Sequence, residues 1–309
     1  MTVRNHSHAA TCAAVTRLAA ITLAVAATLV AALLVVPVLV VPTPAQAEGQ
    51  NPLVQPQVPV EAFRWPGEEF YFSVRLNGAE AMRASLRAGD LRRVNNRSYV
   101  PISAVARSVG FFQGVYPIHD RANTFVDPID FRPLRSEKLF EERGEKRSYK
   151  VDYTHSTYRA KVEKMKEKRT FRFNYSIPGT THDMISWMYD LRSRESLKKG
   201  TEFTYYIYDG WKLSRVEMKV LGKEDVYTPM GWFKTWKISF GREVLKSHRQ
   251  KGDNGKPIKP LLRVKTPDKH AGHLYLSRDE NRLPVKVAIG TKFGTSEALL
   301  IKYKPHERD

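Results

Sequence analysis

Apolar residues along this chain recur most often at every second position. From Phe70 the sequence reads Phe-Tyr-Phe-Ser-Val-Arg-Leu, which places Phe70, Phe72, Val74 and Leu76 on one side of an extended segment. Asn77-Gly78 follows, a hairpin turn signal. The same alternation returns at Val151 and Tyr153, at Phe171, Phe173 and Tyr175, and at Phe203, Tyr205 and Ile207 before Asp209-Gly210. It continues through Val216, Met218 and Val220, through Trp236, Ile238 and Phe240, and through the pairs Leu274 and Leu276, and Val285 and Val287. Leu299, Ile301 and Tyr303 close the series. Short polar turns lie between several of these segments, among them Gly252 to Lys256 and Arg278 to Arg282. Strands joined by turns, with few helices, predict a mainly β fold: a curved antiparallel sheet, barrel or half-barrel, curled to limit its exposed edges.

One segment has a different period. Met184, Trp187, Met188 and Leu191 are three and four apart, the spacing of one helix face. Asp183 suits the N-cap, Lys198 and Lys199 the carboxyl end, and Gly200 the stop, so the spacing predicts one packed amphipathic helix from Asp183 to Lys199. Its Trp-Met stripe is expected to pack on the sheet. Tyr99 to Phe112 fits two readings: Ile102, Val105 and Val109 suit a helix, whereas Tyr99-Val100-Pro101-Ile102 suits a strand.

The first segment bears on location. Arg4 and Arg17 precede an apolar run from Leu18 to Val41, which ends in Pro42-Thr43-Pro44 and Ala45-Gln46-Ala47. That is the layout of a secretory signal peptide over residues 1–47, and it predicts the periplasm or cell envelope. The run is also long enough for an uncleaved inner-membrane anchor facing the periplasm. A proline-rich leader at 48–66, a single β-rich domain at 67–304 and a tail at 305–309 complete the expected organisation. The lone cysteine, Cys12, precedes the apolar run, so the expected mature chain has no disulfide, thiolate metal cluster or cysteine nucleophile.

Charge suggests a partner. Removing residues 1–47 leaves 49 Lys and Arg against 32 Asp and Glu, a net charge of +17. Such a balance suits an anionic amphiphile or envelope polymer, such as an anionic lipid or lipopolysaccharide, as well as simple solubility. With export, nucleic acid is not an expected partner. Membrane contact is expected through the signal segment before cleavage, or through the anchor if it is retained.

Catalytic signatures are missing: there is no Gly-x-Ser-x-Gly elbow, His-Glu-x-x-His, phosphate loop or dinucleotide fingerprint. Gly252-Asp253-Asn254-Gly255-Lys256 continues with Pro257 and reads as a turn. His119-Asp120, His182-Asp183, and the pair His270 and His273 supply no third metal ligand by spacing, so neither a metal nor a cofactor is predicted. No catalytic residues are assigned; for an envelope glycan hydrolase or transferase, His182, Asp183, Asp190 and Asp279 are the acid–base candidates. Aromatic residues crowd the central hairpins among Lys and Arg. Tyr206, Tyr208, Trp211 and Trp232, with Arg192 and Arg282, are the candidate ligand-binding residues.

Several weak motifs occur in a consistent order. They are Gly67-Glu68-Glu69-Phe70-Tyr71, Gly110 to Asp120, Phe125-Val126-Asp127-Pro128 and Arg132-Pro133. Then follow His182-Asp183 to Arg192, Gly200, Asp209-Gly210, Thr228-Pro229-Met230-Gly231, and Leu276-Ser277-Arg278-Asp279 before Arg282-Leu283-Pro284-Val285. In this order the chain resembles the bacterial domain-of-unknown-function family numbered 3108 from about Gly67 to Tyr303. The resemblance implies an exported envelope protein formed as one continuous module, with a curved antiparallel sheet and no established activity or cofactor. It supplies no catalytic residues. The family's usual tryptophan before the Ser-x-Asp step is replaced by Tyr275-Leu276 here. The leading expectation is therefore a non-enzymatic binding or assembly factor. The alternatives are a glycan-acting enzyme and a scaffold that binds another envelope protein through a sheet edge.

Overall fold

The computed structural model describes residues 63–250, 256–266, 272–291 and 294–306. The expected signal segment, most of the expected leader, most of the expected turn at Gly252 to Lys256, His270 and the end of the tail lie outside the described residues.

The first strands are β1 (Glu69–Leu76), β2 (Ala79–Ala88), β3 (Arg92–Val94) and β4 (Arg97–Ser108), followed by a short helix, α1 (Gly110–Val115). Next come β5 (His119–Val126), β6 (Pro133–Glu142), β7 (Glu145–Thr154), β8 (Arg159–Lys166), β9 (Arg169–Ser176) and β10 (Thr181–His182), which lead into α2 (Ser186–Ser193). The chain finishes with β11 (Glu202–Tyr208), β12 (Leu213–Thr228), β13 (Gly231–His248), β14 (Leu261–Thr266), β15 (Gly272–Ser277), β16 (Pro284–Thr291) and β17 (Gly294–Lys304).

From β11 the hydrogen-bonded ladder passes through β12, β13, β15, β16 and β17 to β1. It continues through β2, β4, β5, β6, β7 and β8 to β9, antiparallel throughout. β14 extends the far half of β13, β3 flanks β4, and β10 lies parallel to β11. Bulges at Tyr71/Phe72, Phe125/Val126, Val220/Gly222 and Tyr275/Leu276 bend this ribbon where an extra residue is inserted. The fold is thus the mainly β, curved antiparallel sheet that the alternation predicts.

The two ends of the sheet overlap instead of joining edge to edge. On β11, Tyr205 and Ile207 face a core with Val216, Ile238 and Leu274, while Tyr208 on the opposite face packs with Val151, Tyr153 and Val162 of β7 and β8. Among the described residues no register pairs β9 with β10–β14. Burial of apolar side chains, about 25 cal/mol per Å² removed from water, holds this seam in place of a ladder.

Helix α2 fills the hollow of the sheet. Trp187 and Leu191 are buried against β11–β13 and β15, while Ile185 and Tyr189 join a second core with Phe70, Ile102 and Val285. The helix is shorter than the expected Asp183–Lys199. At its start, Asp183 Oδ1 accepts from the Ile185 and Ser186 amides and Ser186 Oγ accepts from the Asp183 amide, a reciprocal cap. At its end, the Arg282 guanidinium donates to the Arg192 and Glu195 carbonyls, so these groups are satisfied without another helical turn. Leu197 then enters the core and Gly200 turns at φ +90 into β11.

Tyr99 to Phe112 resolves into both elements in succession. Val100, Ile102, Ala104 and Ala106 alternate inward along β4, and α1 begins only after Val109. Pro101 lies just past the point where the β2–β4 register stops, at Ala88↔Ile102. The packed module also begins before Gly67, because Phe63 and Trp65, in the expected leader, are buried beside Phe131 and Tyr189.

Candidate functional site

A cleft of about 850 Å³ opens where the overlapping layers part. Tyr153 and Tyr206 come from the two layers, Arg97 from the start of β4, Arg132 from the β5–β6 loop, and His155 and Tyr158 from the turn between β7 and β8. Pro178, Gly179, Lys259, Pro260 and Leu262 are also in the walls. A second cavity of about 190 Å³ shares Tyr158 and Pro260 with it and adds Arg159, Arg249 and Lys256. Among the described residues no carboxylate lines either cavity.

Local structure fixes several of these groups. In the β5–β6 loop, Asp127 Oδ1 accepts from the Ile129 amide and Asp130 Oδ1 from the Arg132 amide. Asp130 also pairs with the Arg132 guanidinium, whose Nη1 donates to the Gly179 carbonyl at 2.9 Å. His155 Nε2 donates to the Pro133 carbonyl at 2.8 Å, and its ring stacks on Tyr153. Burial pushes the His155 pKa down, which favours the neutral ring. Tyr158 adopts a left-handed conformation, φ 55, unusual for a bulky side chain. Its ring lies where a side chain on Gly179 would meet it, at 3.1 Å from an added Cβ.

Arg132 has Asp130. Arg97, Arg159, Arg249, Lys256 and Lys259 have no ion-pair partner among the described residues. The arrangement combines unneutralised cations with aromatic and proline faces in one concavity, which suits an anion carrying an apolar or ring surface. By contrast, the spaces beside α2 are only about 60 and 30 Å³. Met184, Trp187 and Phe240 line both, and at these volumes neither space matches an acyl chain.

Of the six residues expected to bind ligand, only Tyr206 lines the cleft. Tyr208 is buried and stacks on Tyr175 at 4.8 Å. Trp211 is exposed in the β11–β12 turn, and Trp232 pairs with Tyr227 at the opposite end of β12. Arg192 is fully buried in a bidentate pair with Glu68 at 2.5 and 2.9 Å, over the Trp65 ring, and donates to the Asn281 carbonyl. Arg282 is spent on the helix end. Neither arginine is free to meet a ligand, and the six do not form one site.

The acid–base candidates are also committed. His182 is buried, its Nδ1 3.2 Å from Ser186 Oγ, and burial drives its pKa down to about 4. Asp183 caps α2 and accepts from Thr124. Asp190 accepts from Tyr205 at 2.6 Å and pairs with Arg194. Asp279 holds the β15–β16 turn through the Asn281 and Arg282 amides and Ser277 Oγ. None of the four lines the cleft or its neighbour. Among the described residues no group of three His, Cys, Asp or Glu is placed to hold a metal ion.

Two ionisable groups are buried where the apolar alternation marks no core position. Asp120, raised to about 8 by burial and then by nearby Glu142, leaves Oδ2 without a hydrogen bond. Lys138 is buried with Nζ on the Asp209 carbonyl at 3.3 Å, and burial lowers its pKa. Both lie on the inward face of strands whose alternation is mostly polar. Arg97, His155 and Lys259 were missed for another reason: they lie far apart in sequence and meet only through the overlap.

No curated protein matches the chain. Among solved structures, the beta-barrel-like protein of domain of unknown function DUF1849 from Brucella abortus is similar at 12% identity and a TM-score of 0.49. That match covers 79% of this chain and 100% of that one. A Bacteroides fragilis protein with a YmcC-like fold is similar at 12% identity and a TM-score of 0.30, covering 79% and 99%. Residues 71–301 match the family described as "Protein of unknown function (DUF3108)", and the chain belongs to that family.

Proposed function

We propose that the protein is an exported, non-enzymatic binding factor of the cell envelope, and that the cleft between its overlapping layers holds the anionic head of an envelope lipid, lipopolysaccharide or polymer. The observation that carries this reading is the lining: among the described residues, six Lys and Arg stand around two adjoining cavities with no carboxylate beside them. Cations gathered this way repel one another, and a bound anion offsets that repulsion. Tyr153, Tyr158, Tyr206 and Leu262 supply apolar faces for a sugar ring or the base of a head group. The filled interior supports recognition of a head group over storage of an acyl chain. The engagement of His182, Asp183, Asp190 and Asp279 in structural hydrogen bonds supports the non-enzymatic reading.

The test is to purify the protein from envelope fractions, extract it and weigh what co-purifies. An anionic lipid, glycolipid or polymer recovered from the wild type and lost from Arg97→Glu/Lys259→Glu supports the proposal. Equal recovery from both proteins contradicts it.

A further inference from the structure

The tip of the β8–β9 hairpin lies at the end of β8 remote from the cleft, about 25 Å away for an eight-residue strand. Its charge is concentrated. The registers set Arg147 opposite Lys166 and Lys166 opposite Arg169 across three adjacent strands. Like charges so placed repel. The next row on that face is Tyr149, Lys164 and Phe171, with Lys168 in the turn. Burial, then the charges of Arg147 and Lys166, lower the Lys164 pKa. Of the nearby carboxylates, Glu142 pairs with Arg147, while Glu145 and Glu167 both lie near Lys166. Lys164, Lys168 and Arg169 have no carboxylate partner among the described residues.

Apolar side chains project among these cations without joining the core. Trp211 is 57% exposed with Lys164 Nζ 3.9 Å from its ring centroid, and Phe171 is 49% exposed. Met165, 46% exposed, lies on the other face of the hairpin. The core beneath is completed by Val162 and Phe173. A soluble polyanion would meet the cations and leave these apolar groups in water. A bilayer interface accepts both.

We infer that this end of the molecule docks on the surface of a lipid bilayer that carries anionic head groups. Trp211 and Phe171 enter the interfacial layer, and Lys164, Lys168 and Arg169 meet the lipid phosphates. The inference is independent of the cleft, which is built from other residues.

Hydrogen exchange of the full chain, followed with vesicles of phosphatidylglycerol and phosphatidylcholine in equal parts and with phosphatidylcholine alone, reads the hairpin itself. Amides of 164–171 are expected to slow at least fivefold with the anionic vesicles only. Lys164→Glu/Lys168→Glu/Arg169→Glu is expected to abolish that protection, and Trp211→Ala, at an exposed turn, to reduce it severalfold. Arg97→Glu/Lys259→Glu retains it, which separates the result from the cleft reading. Protection that is equal with both vesicle types, absent with both, or produced by soluble polyphosphate instead of vesicles overturns the inference.

Discussion

The buried Glu68–Arg192 pair shows how individual residues constrain this molecule. Both side chains are fully buried, and the guanidinium reaches two carboxylate oxygens and the Asn281 carbonyl while lying over Trp65. The carboxylate raises the Tyr303 hydroxyl, already shifted by burial, to about 12. Removing one charge strands the other in a medium that solvates it poorly. Glu68→Gln is expected to cost about 3–5 kcal/mol in urea denaturation, and Glu68→Gln/Arg192→Met to recover much of that loss. Asp120 and His182 give opposite pH slopes. The raised Asp120 pKa stabilises the fold at low pH, and that contribution fades between about 4 and about 8, as the unfolded state loses its proton first. The depressed His182 pKa contributes above its ordinary value, and this is lost as pH falls through about 4. Above pH 6.5 the His182 contribution is complete, while Asp120 still contributes a slope up to about 8. Thermal melting of Asp120→Asn is expected to flatten it, and an unchanged slope would refute the assignment.

At the scale of elements, periodicity was legible wherever one face of a segment met the core. Val216, Met218 and Val220 alternate inward along β12 as their spacing predicts, and Trp187 and Leu191 of α2 are buried on the side their stripe requires. Helix length was not legible, because Arg282, about ninety residues downstream, takes the carbonyls at which α2 stops. Nor was the second face of β11, where Tyr208 is buried only because the far end of the sheet covers it. Trp187 lines both of the small spaces beside α2. Trp187→Ala is therefore expected to merge them and cost about 3–5 kcal/mol, read as a lower urea midpoint with an unchanged slope. A loss below about 1 kcal/mol would mean that the hollow collapses around the helix.

For the whole molecule, overlap rather than closure is the organising feature. It leaves β9 without a strand partner on its outer edge among the described residues, yet keeps Phe173 and Tyr175 packed against Tyr208, Leu213 and Leu245. Hydrogen exchange of the free protein should accordingly be faster along β9 than along β1, which is paired on both sides. The overlap also gathers the cleft. Charge excess was legible in the composition, but the place where it converges depends on contacts between residues as distant in sequence as Arg97 and Lys259. The most direct measurement is calorimetric titration of the protein with lipopolysaccharide, intact and stripped of its phosphates, using the wild type and Arg97→Glu/Lys259→Glu. Tenfold or tighter preference for the phosphorylated form, weakened by salt and lost in the charge-reversed variant, is the predicted result. Equal affinity for the two forms, or binding untouched by the charge reversal, would contradict the account.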